Sequence, residues 1–468
     1  MGGPVVTARS LVPPGPLADP VARRREWRSW YFYDWANSAF VTTVGTVLLG
    51  PYLTSVAERA ACGFVATPDN PCDATLSVLG IPVAAGSLSS YTVTFGTLLS
   101  AVLLPVVGAI ADRTSRKRHM LLGFAWTGAS AAMLLFFTGG DAWQPIVLLM
   151  LVAGICLGSS VVVYDSILND ISAEDDRDSV SSRGWALGYL GGGLLLAANL
   201  VLLNFAESFG LSTEQAAQIS FASAGVWWAA WTLVPFLGLH DRPPVNVERV
   251  PGGLLSASFT QLVDTLKDLR HYPQTLLFLV AYLFYNDGIQ TVIASAAVFG
   301  SRELGLGNSA LVLAILVVQF VAFFGALLLG RLSRRIGAKR TILGSLVVWA
   351  AVSLSAYALP AEQLLPFLGL SVAIGFVLGG SQALSRSLYS TLVPRGREAE
   401  YFGLYQAAER GTSWFGTLTF GLVFQFTGSY RFSVVALLVF FVVGFILLSR
   451  LDVRRGIVEA GNRVPAVV

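Results

Sequence analysis

The chain of 468 residues is 54% hydrophobic and 13% charged, with 31 Lys and Arg against 28 Asp and Glu. Soluble domains carry about 25% charged residues, and a net charge of +3 leaves no electrostatic footprint for nucleic acid. Three cysteines exclude a disulfide-built scaffold and a cysteine-rich metal site, so the lipid bilayer is the solvent that suits this composition.

Residues 1–30 are Pro-rich and close on Arg23-Arg24-Arg25-Glu26-Trp27-Arg28 without the apolar run of a secretory signal, which predicts a disordered tail and a basic anchor. Twelve stretches then reach the length of about 20 apolar residues that a membrane crossing needs. They cover 31–56, 88–111, 119–138, 144–167, 184–206, 218–239, 274–298, 309–332, 341–359, 363–388, 401–426 and 432–449. With the N-terminus inside, all but five of the 31 Lys and Arg fall in inner segments. Arg59, Arg302 and Arg431 lie outside, and Arg386 and Arg410 lie within spans. That asymmetry predicts both termini on the inner side. The outer loop 57–87 holds Cys62 and Cys72, candidates for a disulfide on an oxidising side; the alternative is two unpaired thiols.

The chain repeats itself. Gly108-Ala-Ile-Ala-Asp112-Arg113-Thr-Ser-Arg116-Lys117-Arg118 follows span 2, and Gly330-Arg-Leu-Ser-Arg334-Arg335-Ile-Gly337-Ala-Lys339-Arg340 follows span 8, 222 residues on. Spans 4 and 10 agree at an offset of 221, through Gly154/Gly375, Leu157/Leu378, Gly158/Gly379, Ser160/Ser381 and Ser166/Ser387. Two segments agreeing within one residue predict a duplicated unit of six spans, the two-bundle plan of rocker-type secondary transporters. The expected fold is all-α and integral to the membrane, with twelve transmembrane helices in two pseudo-symmetric six-helix bundles. Its expected divisions are a tail (1–30), a first bundle (31–239), a linker (240–272), a second bundle (273–450) and a tail (451–468). In the linker Phe259, Leu262, Val263, Leu266 and Leu269 share one helical face, predicting a helix on the inner membrane surface. Gly184, Gly188 and Gly191-Gly192-Gly193 predict close packing of span 5.

The loop motif after span 2 resembles the signature between helices 2 and 3 of the major facilitator superfamily. There the resemblance gives Asp112, with Arg113, a part in locking an inner gate; the second copy has Arg334 in place of the acid, so the role does not extend to it. A narrower resemblance lies in Tyr31-Phe-Tyr33-Asp34-Trp35-Ala36-Asn37-Ser38-Ala39-Phe40, Leu283-Phe-Tyr285-Asn286-Asp287-Gly288-Ile-Gln290-Thr291, Gly379-Gly380-Ser381-Gln382-Ala383-Leu384-Ser385-Arg386-Ser387 and Tyr401-Phe402-Gly403-Leu404-Tyr405. These segments resemble the autophagy-related vacuolar effluxer-like family of major facilitators. For the eukaryotic members the resemblance implies export of amino acids from the vacuole.

Charges inside a bilayer cost roughly 2.5–3.5 kcal/mol each and point to function. Counted from the inner end at ~1.5 Å per residue, Asp287 lies roughly 20 Å deep, and Glu409 and Arg410 roughly 15 Å. That is the midplane level of transporter substrate and coupling sites. Asn286, Gln290, Asn37 and Gln382 add polar faces to that set. The bland alternative for Asp287 and Arg410 is a fixed buried pair. Asp34, one turn into span 1, and Asp165 and Arg386, at equivalent inner ends of spans 4 and 10, are expected to form an inner gate with Asp112. Asp165 and Arg386 need not pair with each other, and Asp34 has the alternative of a carboxylate at a helix N-terminus.

The expected function is secondary active transport of a small polar solute by alternating access, with amino-acid efflux first among substrates; sugars, other organic ions or a non-transporting receptor are the alternatives. No phosphate-cradling Gly-x-x-x-x-Gly-Lys-Ser/Thr sequence is present. The three histidines, His119, His240 and His271, lie near the inner surface without metal-ligand spacing, so neither enzyme nor cofactor is expected. The expected partners are a small-molecule substrate, the lipid bilayer and protons, with the chain a monomer. The 28 Arg against 3 Lys suit a prokaryote, and a plasma membrane is the expected location.

Overall fold

The computed structural model describes residues 15–67, 70–245, 265, 267–411 and 413–468. It is built from helices, eleven of which, among the described residues, are long and apolar enough to cross a membrane. The first, a rod of 43 residues, joins α1 (Pro20–Phe40) through a π-helical stretch (Val41–Leu48) to α2 (Leu49–Cys62). A hairpin, β1 (Thr75–Val78) with β2 (Ile81–Ala84), follows. Then come α3 (Leu88–Asp112), α4 (Lys117–Leu134), α5 (Trp143–Ile171), α6 (Arg177–Asn204) and α7 (Thr213–Gly238). The second half holds α8 (Pro273–Val298), α9 (Asn308–Ile336), α10 (Ala338–Tyr357) and α11 (Leu364–Leu392). The span expected over 401–426 is covered by α12 (Glu398–Gly411) and α13 (Ser413–Thr427), of 14 and 15 residues, with residue 412 between them outside the described residues. The chain continues through α14 (Tyr430–Ala436), α15 (Leu438–Arg450) and α16 (Val453–Glu459).

The first helix begins earlier than the sequence suggests. Asp19 accepts hydrogen bonds from the Val21 and Ala22 amides at 3.1 and 3.0 Å, and Pro20 opens the first turn, a strong start signal. The basic run Arg23–Arg28, expected as an anchor ahead of the first span, is therefore helical and continuous with it, and Asp34 stands in the helix interior, not near its N-terminus. Glu26, 1% exposed, takes a bidentate pair from Arg242 at 2.9 and 2.8 Å, which ties the chain leaving α7 back onto α1. Most of the amphipathic stretch expected in the linker, including Phe259, Leu262, Val263 and Leu266, lies outside the described residues; Leu269 is buried.

One apolar cluster joins α1 to α7 around Trp30, Tyr33, Tyr164, Phe221 and Trp228. Another gathers the second half around Phe278, Tyr282, Trp349, Tyr389 and Phe402. Between α1 and α6 the glycines permit contact: a side-chain carbon at Gly191 would meet the Trp35 carbonyl oxygen at 2.8 Å, and one at Gly192 the Ser38 carbonyl oxygen at 3.0 Å. Large apolar side chains such as Val102, Phe324 and Val439, each about 60% exposed, face outward, as a lipid-facing surface requires. In the loop 57–87, Cys62 and Cys72 are joined by a disulfide. Leu79 and Gly80, at φ of 52° and 85°, form the two-residue turn whose positive φ values match the twist of a hairpin.

Candidate functional site

The residues singled out from the sequence fall into two levels of one polar core. The first level lies at the end of the bundle that carries the basic loops. Arg386 on α11 is 2% exposed. Its Nη2 donates to Asp34 Oδ2 at 3.0 Å and its Nη1 to Asp165 Oδ1 at 3.2 Å. Its Nε donates to Ser181 Oγ at 2.9 Å, and Nη2 donates also to the Ser181 carbonyl at 3.1 Å. Trp30 lies 4.8 Å from the guanidinium carbon, with Tyr164 and Trp185 at 5.4 Å. Tyr164 donates its hydroxyl to Asp34 Oδ2 at 2.7 Å. A planar fork is thus matched to two carboxylates and covered by aromatic faces, a geometry that Lys cannot reproduce. Asp165 and Arg386, placed by sequence at equivalent but separate gate positions, bond directly.

Other contacts close the same junction. Asn169 and Arg177 both donate to the Ser390 carbonyl, at 3.0 and 2.8 Å, and Arg395 donates to Glu174 at 3.2 Å. Asp165 with Arg386, Asn169 with Ser390 and Glu174 with Arg395 are each separated by 221 residues, the offset of the repeat. Equivalent residues meet face to face, so the pseudo-two-fold axis of the repeat passes through this junction. Asn462, beyond α16, donates to the Thr391 and Val393 carbonyls at 2.9 and 2.8 Å, while Asp175 accepts from the Ala466 amide at 2.7 Å.

Asp112, at the end of α3, caps α12. Its Oδ1 accepts from the Ala399 amide at 2.9 Å and its Oδ2 from the Glu400 amide at 2.8 Å. These are among the amides that a helix start leaves unmatched, and the carboxylate also complements the helix dipole. Gly108, one turn earlier, makes the approach possible: a side-chain carbon there would sit 2.6 Å from the Ala399 carbonyl carbon. Lys117 lies 3.9 Å from Asp112 and 3.1 Å from Asp170. Arg113 stands at the C-cap of α3, partly exposed.

The second level lies deeper. Glu409 accepts from Tyr282 at 3.0 Å and from Gln406 at 3.3 Å, and Gln406 donates also to Asp165 Oδ2 at 3.3 Å. Hydrogen bonds therefore run without a gap from Arg386 through Asp165 and Gln406 to Glu409. Gln382 donates to Asn286 at 2.8 Å. Arg410 places its buried Nε 3.5 Å from where a side-chain carbon on Gly158 of α5 would sit, so it lies between the halves. No ion pair joins Arg410 to Asp287 among the described residues, and the Arg410 Nε has no hydrogen-bond partner; the fixed pair is not formed. Asp287 instead accepts from the Gly416 amide at 2.8 Å. Asn37 donates to the Tyr33 carbonyl of its own helix at 2.7 Å, and Gln290 is partly buried. Sequence reasoning did not single out Tyr282, Trp30, Tyr164 and Ser181. Tyr282 is spaced to share a helix face with Tyr285 and Asn286, the one available signal.

A buried polar core between two helical halves, wrapped in an outward-facing apolar surface, defines an integral multi-pass membrane protein of major facilitator fold. The structure superposes on that of the major facilitator superfamily proton:xylose symporter XylE with a TM-score of 0.67 at 12% identity, covering 92% of this chain and 96% of the other. The chain belongs to the family described as vacuole effluxer Atg22 like, whose model matches residues 22–177 and 169–461. It is 31% identical over 428 residues to the uncharacterized MFS-type transporter YxiO of Bacillus subtilis (strain 168), covering 91% of this chain and 94% of that one. It is 23% identical over 496 residues to autophagy-related protein 22 of Vanderwaltozyma polyspora, covering 92% of each. Family and fold are those of transporters.

Proposed function

We propose that the protein is a secondary transporter exporting amino acids across a prokaryotic plasma membrane by alternating access, with both termini cytoplasmic. The hydrogen-bonded path from Arg386 through Asp165 and Gln406 to Glu409 is the observation that carries this reading. It links a junction at one end of the bundle to an acid at mid-depth. Occupancy at one level is thereby felt at the other. Residues 31–239 and 273–450 act as the two rocking bundles. Asp34, Asp165, Arg386, Asp112 and Arg113 form the cytoplasmic gate, closed while Arg386 holds both acids.

Glu409, Arg410, Asn286 and Gln382 form the substrate level. A carboxylate and a guanidinium at adjacent positions match the two charges of a zwitterion, and the family's description as an effluxer favours export. A proton on Glu409, exchanged as the gate acids lose and regain Arg386, couples flux to a pH gradient. The test is counterflow of a labelled amino-acid pool in proteoliposomes, comparing wild type with Glu409→Gln. Uptake that the variant loses is expected. No uptake of any amino acid by folded wild type overturns the substrate assignment, and flux indifferent to an imposed pH gradient overturns the coupling.

A further inference from the structure

The two copies of the loop motif close the junction differently. In the first, Gly108 lets α3 approach the start of α12, and Asp112 caps the Ala399 and Glu400 amides. An offset of 222 carries that contact to the end of α9 and the start of α6, with Gly330 for Gly108, Arg334 for Asp112, and Arg177 and Asp178 for Ala399 and Glu400. The close approach recurs there: a side-chain carbon at Gly330 would collide with the Ser182 side chain and lie 3.8 Å from the Asp178 carbonyl oxygen. The capping acid does not recur, and Arg334 is exposed.

A carboxylate stands on the opposite helix instead. Asp178, in the first turn of α6, accepts from the Ser387 hydroxyl of α11. It also meets Ser333 of α9, whose hydroxyl is shared with the Gly330 carbonyl at 3.1 Å. No ion pair forms at Asp178 among the described residues, so its partners there are hydroxyl donors. One side chain of the first bundle thereby holds two helices of the second. Ser387 directly follows Arg386. Ser181, three residues after Asp178, accepts from Arg386 Nε at 2.9 Å and donates to the Ala383 carbonyl at 2.7 Å. Asp178 and Ser181, at i and i+3, share a face of α6 and together fix the turn of α11 that carries the guanidinium. Hydrogen bonds to an ionised group are strong and costly to leave unmade. We propose that Asp178 is a positioning residue of the inner gate. It takes the place of the acid missing from the second loop copy, seats α9 and α11 on α6, and sets the turn from which Arg386 reaches Asp34 and Asp165.

This assignment rests on the gate reading of Arg386, and one reporter separates the two. Ser390, buried at the junction, is replaced by Cys in a Cys156→Ser background of the full-length protein, and maleimide labelling and Tm are measured together. Asp178→Ala is expected to speed labelling about tenfold, the weight of one hydrogen bond to a charged group. Asp178→Asn, which keeps an acceptor oxygen, is expected to stay near the parent rate. Arg334→Asp, which restores the acid of the first copy, is expected to slow labelling of Asp178→Ala again. A lower Tm in Asp178→Ala with labelling at the parent rate overturns the proposal, since the contact would then be structural only. Labelling of Asp178→Asn as fast as that of Asp178→Ala overturns the acceptor role, and no rescue by Arg334→Asp overturns the exchange of acids between the copies. If Asp178→Ala does not fold, Ser333→Ala combined with Ser387→Ala removes both donors and decides in the same way. If Arg386→Ala opens the junction and Asp178→Ala does not, Asp178 alone fails; if neither does, the gate reading fails with it.

Discussion

Replacing Arg386 with Ala tests the gate most directly. The side chain makes five hydrogen bonds, three to Asp34 and Asp165 and two to Ser181. Its removal leaves two carboxylates, 7% and 1% exposed, facing each other without a cation. Removing one partner of a buried ion pair costs about 3–5 kcal/mol. In the conformer where the halves part at this end, water reaches both acids and the cost disappears. The penalty therefore falls on the closed conformer alone and shifts the equilibrium by about two to three and a half decades. Ser390, 0% exposed at the same junction, is a suitable reporter. In a Cys156→Ser, Ser390→Cys background, maleimide labelling is expected to rise by at least ~10-fold on Arg386→Ala. Arg386→Lys keeps the charge, loses the fork and falls between the two. Labelling of folded Arg386→Ala at the parent rate would refute the argument, since the junction would then be held shut by other contacts.

Gly108→Val drives a side chain into main-chain atoms of Ala399, which cannot swing aside; a loss of about 1–3 kcal/mol and faster labelling at the Ser390→Cys reporter are expected. A lower Tm with unchanged labelling would mean that the α3–α12 contact is structural only. Denatured, unreduced protein is expected to take up one maleimide, on Cys156, and reduced protein three, since Cys62 and Cys72 are bonded; three labels without reductant would contradict the pairing. Asn462→Ala removes the donors to the Thr391 and Val393 carbonyls, a cost of about 1–2 kcal/mol. Limited proteolysis after α16 is expected to accelerate, and an unchanged cleavage rate would show that the tail is held by its apolar contacts.

Composition and spacing were enough to read the class of this protein from its residues. Apolar runs of membrane-spanning length leave few other folds. The repeat was legible because glycines and basic residues recur at a fixed offset, and buried charge in a span is costly enough to mark Asp34, Asp165, Asp287, Arg386, Glu409 and Arg410 as special. Helix starts were less legible. The capping pair Asp19-Pro20 precedes a basic, not an apolar, run, so the first helix begins well before its apolar stretch does.

Which charges meet was decided only by tertiary structure. Sequence spacing fixes depth along a helix and the face a residue occupies, but not the rotation and tilt of one helix against another. Glycines along α6 and at Gly108 let backbones approach closely enough for Asp34 to reach Arg386 and for Asp112 to cap α12. The same packing holds Arg410 apart from Asp287 and places Asp165 against its own repeat equivalent, since residues on a pseudo-two-fold axis meet their counterparts. Sequence determined that this chain crosses a membrane as two related halves with buried charges. The crossing geometry of its helices determined which of those charges became partners.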